Sequence, residues 1–224
     1  MNSNRASRKR RFTGIIQNII GKNNNNEHLT RYIKQLENVF MHTIELANAL
    51  GEMRDPSIAG HDRQVANIAV AIGKKMGFDE QRLDGLRISG HLHDIGNMII
   101  PAGILAKSHK LSKAEYVLVM KHPISGFDLL KDVEFPWPVA TVVLQHHERI
   151  DGSGYPNGLK GEQIILESRI IAVADVVEAM ASHRPYRPSF SIEETLVEIQ
   201  KGSGRIYDKD VAQICLRIFR ENLC

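Results

Sequence analysis

The stretch His91-Leu92-His93-Asp94-Ile95-Gly96-Asn97 holds an imidazole and a carboxylate on adjacent residues, followed by a glycine. Neighbours on a regular helix point about 100° apart, because the helix turns once in ~3.6 residues. His93 and Asp94 can therefore converge on one metal ion most easily at a helix end, where the backbone leaves regular geometry. Gly96 is a natural C-terminal stop for a helix over the run Asp79 to Ile95. Taken alone, the pair is as readily a polar helix end as a ligand pair.

The rest of the chain changes that balance. Of ten histidines, His61, His93, His122, His146 and His147 fall at or near expected helix ends. Asp175 interrupts the apolar run Ile170-Ile171-Ala172-Val173-Ala174 and is followed by Val176-Val177. Burying an unpaired carboxylate is expensive, so a metal ion, a cationic side chain or a neighbouring helix start must satisfy it. Five imidazoles and two carboxylates, Asp94 and Asp175, exceed what one four-coordinate ion can use. They suit two ions bridged by one carboxylate. A nitrogen and oxygen donor set without thiolate favours Fe, Mn, Zn or Ni. Two such ions ~3.5–4 Å apart clamp an in-line displacement at phosphorus and turn a bridging water into a hydroxide nucleophile near neutral pH.

The elements that must position these groups are helical. Leu29, Ile33, Leu36, Phe40, Ile44 and Ala47 step by three or four and predict a helix over Leu29–Leu50, bracketed by Gly51 and Pro56. A second runs from about His61 to Met76 and stops at Gly77. Asp79 caps the third. Pro101–Lys110 reads as loop. Ser112 with Glu115 forms a capping box. Short helices follow over Ile124–Leu130 and from Pro136 into His146-His147-Glu148. Asp151–Gly158 is dense in turn formers. Leu166–Ser182 is an apolar helix. Ser191 with Glu194 caps the next, and Asp208 opens the last, to about Asn222. With no strand pattern and no internal repeat, the fold class expected is all-α.

The bulk properties agree with a globular domain. The chain has 224 residues, 42% hydrophobic and 25% charged, enough for a core without staples. Its two cysteines, Cys215 and Cys224, form no Cys-x-x-Cys motif, so no disulfide framework is indicated and a reducing cytoplasm is the default. The formal charge is +3, but the six cations of residues 1–22 face no acid there, so the remainder is net acidic and nucleic-acid polymers are not expected partners. No apolar run approaches the ~20 residues of a membrane span, and no secretory signal is evident. Residues 1–28 read as a flexible basic tail, or as an amphipathic segment weakly touching an anionic membrane or a partner, or as the remnant of a link to an upstream sensory domain.

Gly60-His61, His93-Asp94-Ile95-Gly96, Lys121-His122, His146-His147-Glu148, Asp151-Gly152-Ser153-Gly154-Tyr155-Pro156, Ala174-Asp175 and Arg184-Pro185-Tyr186-Arg187 occur in this order, and the chain from Leu29 to Asn222 thereby resembles the HD-GYP family. These are bacterial cyclic di-GMP phosphodiesterases of the HD metal-dependent phosphohydrolase superfamily, a part of second-messenger signalling. The resemblance implies a helical bundle at 29–224 with a central dinuclear metal site. His61, His93, Asp94 and Asp175 would hold one ion. Asp94, as bridge, with His122, His146 and His147 would hold the other, with Fe or Mn favoured over Zn or Ni. Arg184 and Arg187 would contact substrate phosphate, and the Gly154-Tyr155-Pro156 loop would lie near the site. The expected reaction is hydrolysis of cyclic di-GMP to pGpG and on to GMP. The expected partners are cyclic di-GMP, a diguanylate cyclase domain protein at the Gly154-Tyr155-Pro156 loop, and a second copy of the chain as a homodimer.

Three positions depart from the family. Asn97 stands where a phosphate-stabilising Lys is usual, which puts turnover in question and leaves a cyclic di-GMP receptor signalling through a partner as the other reading. Asn97 joins Asp94 as a catalytic candidate, and joins Tyr155 as a substrate contact. Ser57 replaces the Glu that accompanies a third metal, so two ions are expected. Gln64 replaces a common Arg. Of the other histidines, His91 is expected to be exposed on the face opposite His93, His28, His42 and His109 have no ligand company, and His183 would border the site.

Overall fold

The computed structural model describes residues 26–107, 109–182 and 189–221. Arg184, Arg187, His183 and most of the basic tail therefore lie outside the described residues. Those described are helical, with no strand among them, as the all-α expectation requires. The helices are α1 Asn26–Arg54, α2 His61–Lys75, α3 Glu80–Leu92, α4 Ala102–Leu105, α5 Lys113–Val119, α6 His122–Leu130, α7 Val139–Gln145, α8 Leu166–Ala181, α9 Ile192–Gly202 and α10 Lys209–Glu221. Residues up to Thr43 and residues from Ile44 onward form two compact units. The candidate metal residues lie in the second.

Within that unit, α8 is the central rod. Ile170, Ile171, Ala172, Val173 and Ala174 are all buried in succession, which a helix achieves only when neighbours cover it on several sides. Those neighbours are α2, α3, α7, α9 and α10. Val65, Ala69 and Ile72 of α2, Leu83 and Leu86 of α3, and Val211 and Leu216 of α10 complete the core. Each fully buried aliphatic side chain contributes about 1.5–3 kcal/mol.

Capping sets the ends. Asp79 accepts the Arg82 N–H at 2.8 Å and starts α3. Both expected capping boxes are present, Ser112 with Glu115 and Ser191 with Glu194. Asp208 accepts the Asp210 and Val211 N–H groups and starts α10.

Three expectations need correction. The first helix runs beyond Leu50 and Gly51 to Arg54, ending where Pro56 disfavours helical backbone at Asp55. A single glycine costs less than that proline geometry, so it does not end the helix. The stretch Pro101–Lys110 contains one helical turn, α4. His91 is buried, not exposed, with Nδ1 3.2 Å from Asn48 Nδ2. Two sides of α3 are covered, so the face opposite His93 does not reach solvent.

Candidate metal centre

The helix carrying His93 ends at Leu92. His93, the C-cap, keeps helical dihedrals, but Asp94 moves to φ −100° and ψ 8°. That change of one residue's backbone brings adjacent side chains onto one centre, as expected at a helix end. His61 opens α2, His122 opens α6, and His146 caps the end of α7 with His147 following. Asp175 comes from the middle of α8.

Glycine permits the closest approach. A Cβ on Gly96 would lie 1.9 Å from the His122 carbonyl oxygen and 2.6 Å from the Gly126 nitrogen. The turn Ile95–Ile99 thus packs directly on the start of α6, which places His122 beside Asp94. Arg54 secures the same turn from α1, donating to the Met98 carbonyl and, at 2.7 Å, to the Ile100 carbonyl.

Asp94 stands between two groups of imidazoles. Its Oδ1 lies 3.1 Å from His122 Nε2 and 3.7 Å from His146 Nε2, while Oδ2 lies 3.9 Å from His93 Nε2. On the far side, His61 Nε2 is 3.4 Å from Asp175 Oδ1. The donor atoms of Asp94, His122, His146 and His147 all lie within 4.8 Å of one another, as do those of His61, Asp62, His93 and Asp94.

Ring orientation is set from behind. His93, His122 and His146 each bring Nδ1 to the carbonyl three residues earlier, Gly90 at 2.8 Å, Val119 at 2.8 Å and Val143 at 2.7 Å. A carbonyl only accepts, so Nδ1 carries the proton and Nε2 presents its lone pair to the centre. His61 differs: its Nδ1 pairs with the Glu178 carboxylate, which also accepts the Ser182 hydroxyl at 2.5 Å.

The residues fit a metal. His122 Nε2 and His146 Nε2 face each other at 3.1 Å with both Nδ1 atoms already donating, so the pair needs a shared proton or a metal ion, and with Asp94 and His147 it could hold one. His93 Nε2 is buried without a hydrogen-bond partner, an arrangement that is costly unless something coordinates it.

The electrostatics differ from ring to ring: burial would lower His122, but Asp94 raises it. Burial alone would raise the pKa of Asp94, but His93 and His122 outweigh it and hold the carboxyl well below the usual range. Burial lowers His146 to about 4 and drives His147 well down, so both are neutral imidazoles at pH 7. Burial would lower His61 as well, but Asp175 and Glu178 raise it to about 10.

The remaining candidates surround a cavity of about 500 Å³ lined by Asp94, Asn97, His122, His147 and Tyr155. Asn97 Oδ1 is buried without a partner. Tyr155 stacks on His147 with ring centroids 4.7 Å apart and 30° between planes. Glu148 holds its loop, accepting the Asn157 N–H at 2.7 Å and the Leu159 N–H at 2.9 Å. Its place after the two histidines was the only sequence signal for that role.

Asp62 and Glu178 were missed. Asp62 Oδ1 is buried, unpartnered and 3.8 Å from His93 Nδ1, and burial raises its carboxyl to about 6. Its position next to His61 was a usable signal. Glu178, three residues after Asp175 on one helix, would have been found by asking what orients His61.

The HD domain family matches residues 45–211. The chain belongs to the HD domain family. This HD domain is 35% identical to a cyclic di-GMP phosphodiesterase of Thermotoga maritima over 85% of the chain and 52% of that protein. It is 36% identical to a cyclic di-GMP phosphodiesterase response regulator of Xanthomonas campestris over 77% of the chain and 46% of that protein. The HD domain thus spans about half the length of these curated relatives, and the resemblance read from its motifs is borne out. A solved HDG"Y"P protein from Bdellovibrio bacteriovorus shares the fold at TM-score 0.62 and 22% identity, over 74% of the chain and 53% of that protein.

Proposed function

We propose that this chain is the hydrolytic domain of a metal-dependent phosphodiesterase that converts cyclic di-GMP to pGpG and on to GMP. The observation that carries the reading is the placement of Asp94, with one oxygen toward His122 and His146 and the other toward His93. In this reading two divalent ions, Fe or Mn before Zn or Ni, would be held with Asp94 shared between their two sets of ligands. His61, His93 and Asp175 complete one coordination set, and His122, His146 and His147 the other. Two bound ions supply Lewis acidity and an activated water. The curated relatives' names supply the substrate class.

The chain's own residues then do the rest. Carbonyl-anchored imidazoles keep their lone pairs on the centre without reorganisation. Tyr155 and His147 wall the cavity, and Asn97 offers an amide donor to a phosphate oxygen. Arg184 and Arg187 serve as guanidinium forks for the phosphates. Water adds across one P–O3′ ester: its oxygen joins phosphorus, and its proton goes to the departing 3′ oxygen, leaving a 5′-phosphate. The Gly154-Tyr155-Pro156 loop, a homodimer surface and the basic tail are the proposed contacts for a diguanylate cyclase domain, a second copy and a membrane. The cytoplasm is the proposed compartment.

The test is product analysis after incubating Mn- or Fe-loaded protein, under reducing conditions, with cyclic di-GMP. The reading expects pGpG or GMP from the wild type and none from Asp94→Ala. Equal product from both would overturn the assignment. Tight binding without product would turn it into a receptor.

A further inference from the structure

We propose that Lys110 supplies a further positive charge for a substrate phosphate in this cleft, beside those of Arg184 and Arg187, and that Glu115 holds the segment that carries it. The inference rests on the phosphodiesterase reading of the same cavity and names one of its substrate contacts.

The cavity that Asp94 and Asn97 line is also lined by Lys107, His109 and Lys110. An anionic phosphodiester entering it meets the carboxylates of Asp94 and Asp55, both of which line the wall. Asn97, on the turn that follows Asp94, is a neutral amide, so it brings no charge to balance them. Lys107 is already matched: its Nζ lies 2.5 Å from Glu115 Oε1. Lys110 is exposed and, among the described residues, makes no ion pair. Its ammonium is a point charge on a flexible four-carbon stem, suited to a non-bridging phosphate oxygen.

The segment is fixed at both ends by one carboxylate. Glu115 Oε1 takes Lys107, and Glu115 Oε2 accepts the Ser112 N–H at 2.8 Å as part of the capping box of α5. Lys107 and then the Ser112 contacts lower the Glu115 carboxyl to about 2, so it stays charged throughout the neutral range. Lys110 lies between these two anchors. Lys110 is exposed and lines the cavity. Glu115 is a positioning residue here, and Lys110 is the one that touches substrate.

The experiment compares metal-loaded wild type with Lys110→Gln, Lys110→Arg and Glu115→Gln. It reads steady-state hydrolysis of cyclic di-GMP across a salt series and binding of a phosphorothioate cyclic di-GMP analogue. Lys110→Gln is expected to raise KM and weaken analogue binding about tenfold, the scale of one charge-assisted hydrogen bond. Its kcat and metal content are expected to stay within about twofold, and its KM to depend less on salt. Lys110→Arg should recover most of the loss, and Glu115→Gln should fall between. A Lys110→Gln variant with wild-type KM, binding and salt dependence overturns the inference while leaving the phosphodiesterase intact. A wild type that makes no product but binds the analogue in a Lys110-dependent way removes the enzyme reading and keeps the contact. Absence of both turnover and binding removes both.

Discussion

The two sides of the metal centre are built on different principles. Around His122 and His146, each ring is fixed by a backbone carbonyl three residues earlier in the chain, and burial keeps His146 and His147 neutral, although Asp94 outweighs burial and raises His122. Around His61, the ring is fixed by the side chains of Glu178 and Asp175, and it favours the charged form. A carbonyl three residues back moves only if the helix moves. A carboxylate on another helix can rotate away. The first side is thus preorganised by local structure, the second by the tertiary partners of His61 together with the Gly90 carbonyl behind His93, and Asp94 belongs to both.

That contrast can be broken most severely at the shared residue. Asp94→Ala is expected to reduce hydrolysis by about 10³-fold or more and to strip metal from both sides. Metal analysis after gel filtration, with hydrolysis assays, reads it directly; retention of a full metal complement would contradict the bridge. Gly96→Ala attacks the preorganised side through the backbone. Its Cβ has no room against the His122 carbonyl, and overpacking of this kind costs about 1–3 kcal/mol or more. The expected lower unfolding midpoint would be measured by denaturant titration. Glu178→Ala attacks the other side. Metal affinity there should fall about 10–100-fold while the His122 side keeps its ion, so a metal titration should show one tight equivalent in place of two.

Proton linkage separates the sides more gently. His146 has a folded pKa depressed to about 4 against ~6.5 unfolded. Its contribution to stability is therefore present above ~6.5 and lost as pH falls toward 4. His61 is raised to about 10, so its contribution is present below ~6.5 and lost as pH rises through 10. Metal-free protein should accordingly melt lower on both flanks, the acid flank reporting His146 and the alkaline flank His61 together with His122, whose pKa is raised as well. Thermal melts of metal-free Glu178→Ala should weaken the alkaline flank alone. The smallest change expected is a gain: Asn97→Lys should raise turnover about tenfold, since a preorganised donor is worth 10²–10³ at most. Steady-state rates at saturating cyclic di-GMP measure it.

Much of this was legible in the chain. The capping boxes and the helix-end histidines follow from local chemistry, so Ser112, Ser191 and Asp79 could be read directly. The first helix was harder, because Gly51 and Pro56 both look like stops and only the proline acts as one. His91 could not be read, because its burial depends on Asn48, 43 residues away. Glu178 stayed hidden for the same reason, since what it faces is set by packing, whereas Asp62 repeats beside His61 the His-Asp adjacency of His93-Asp94 and could have been read.

The ends of four helices meet at this centre, with Asp175 reaching it from a fifth. Segments from His61 to Asp175, far apart along the chain, would be tied at a point by ions held there. Each tie closes a loop whose entropy the unfolded chain would otherwise recover, and that cost rises only slowly with loop length. The centre is thus a knot in the polymer as well as a reagent. Chelation should loosen the whole bundle, and how far it does so measures how much of the fold the ions hold closed.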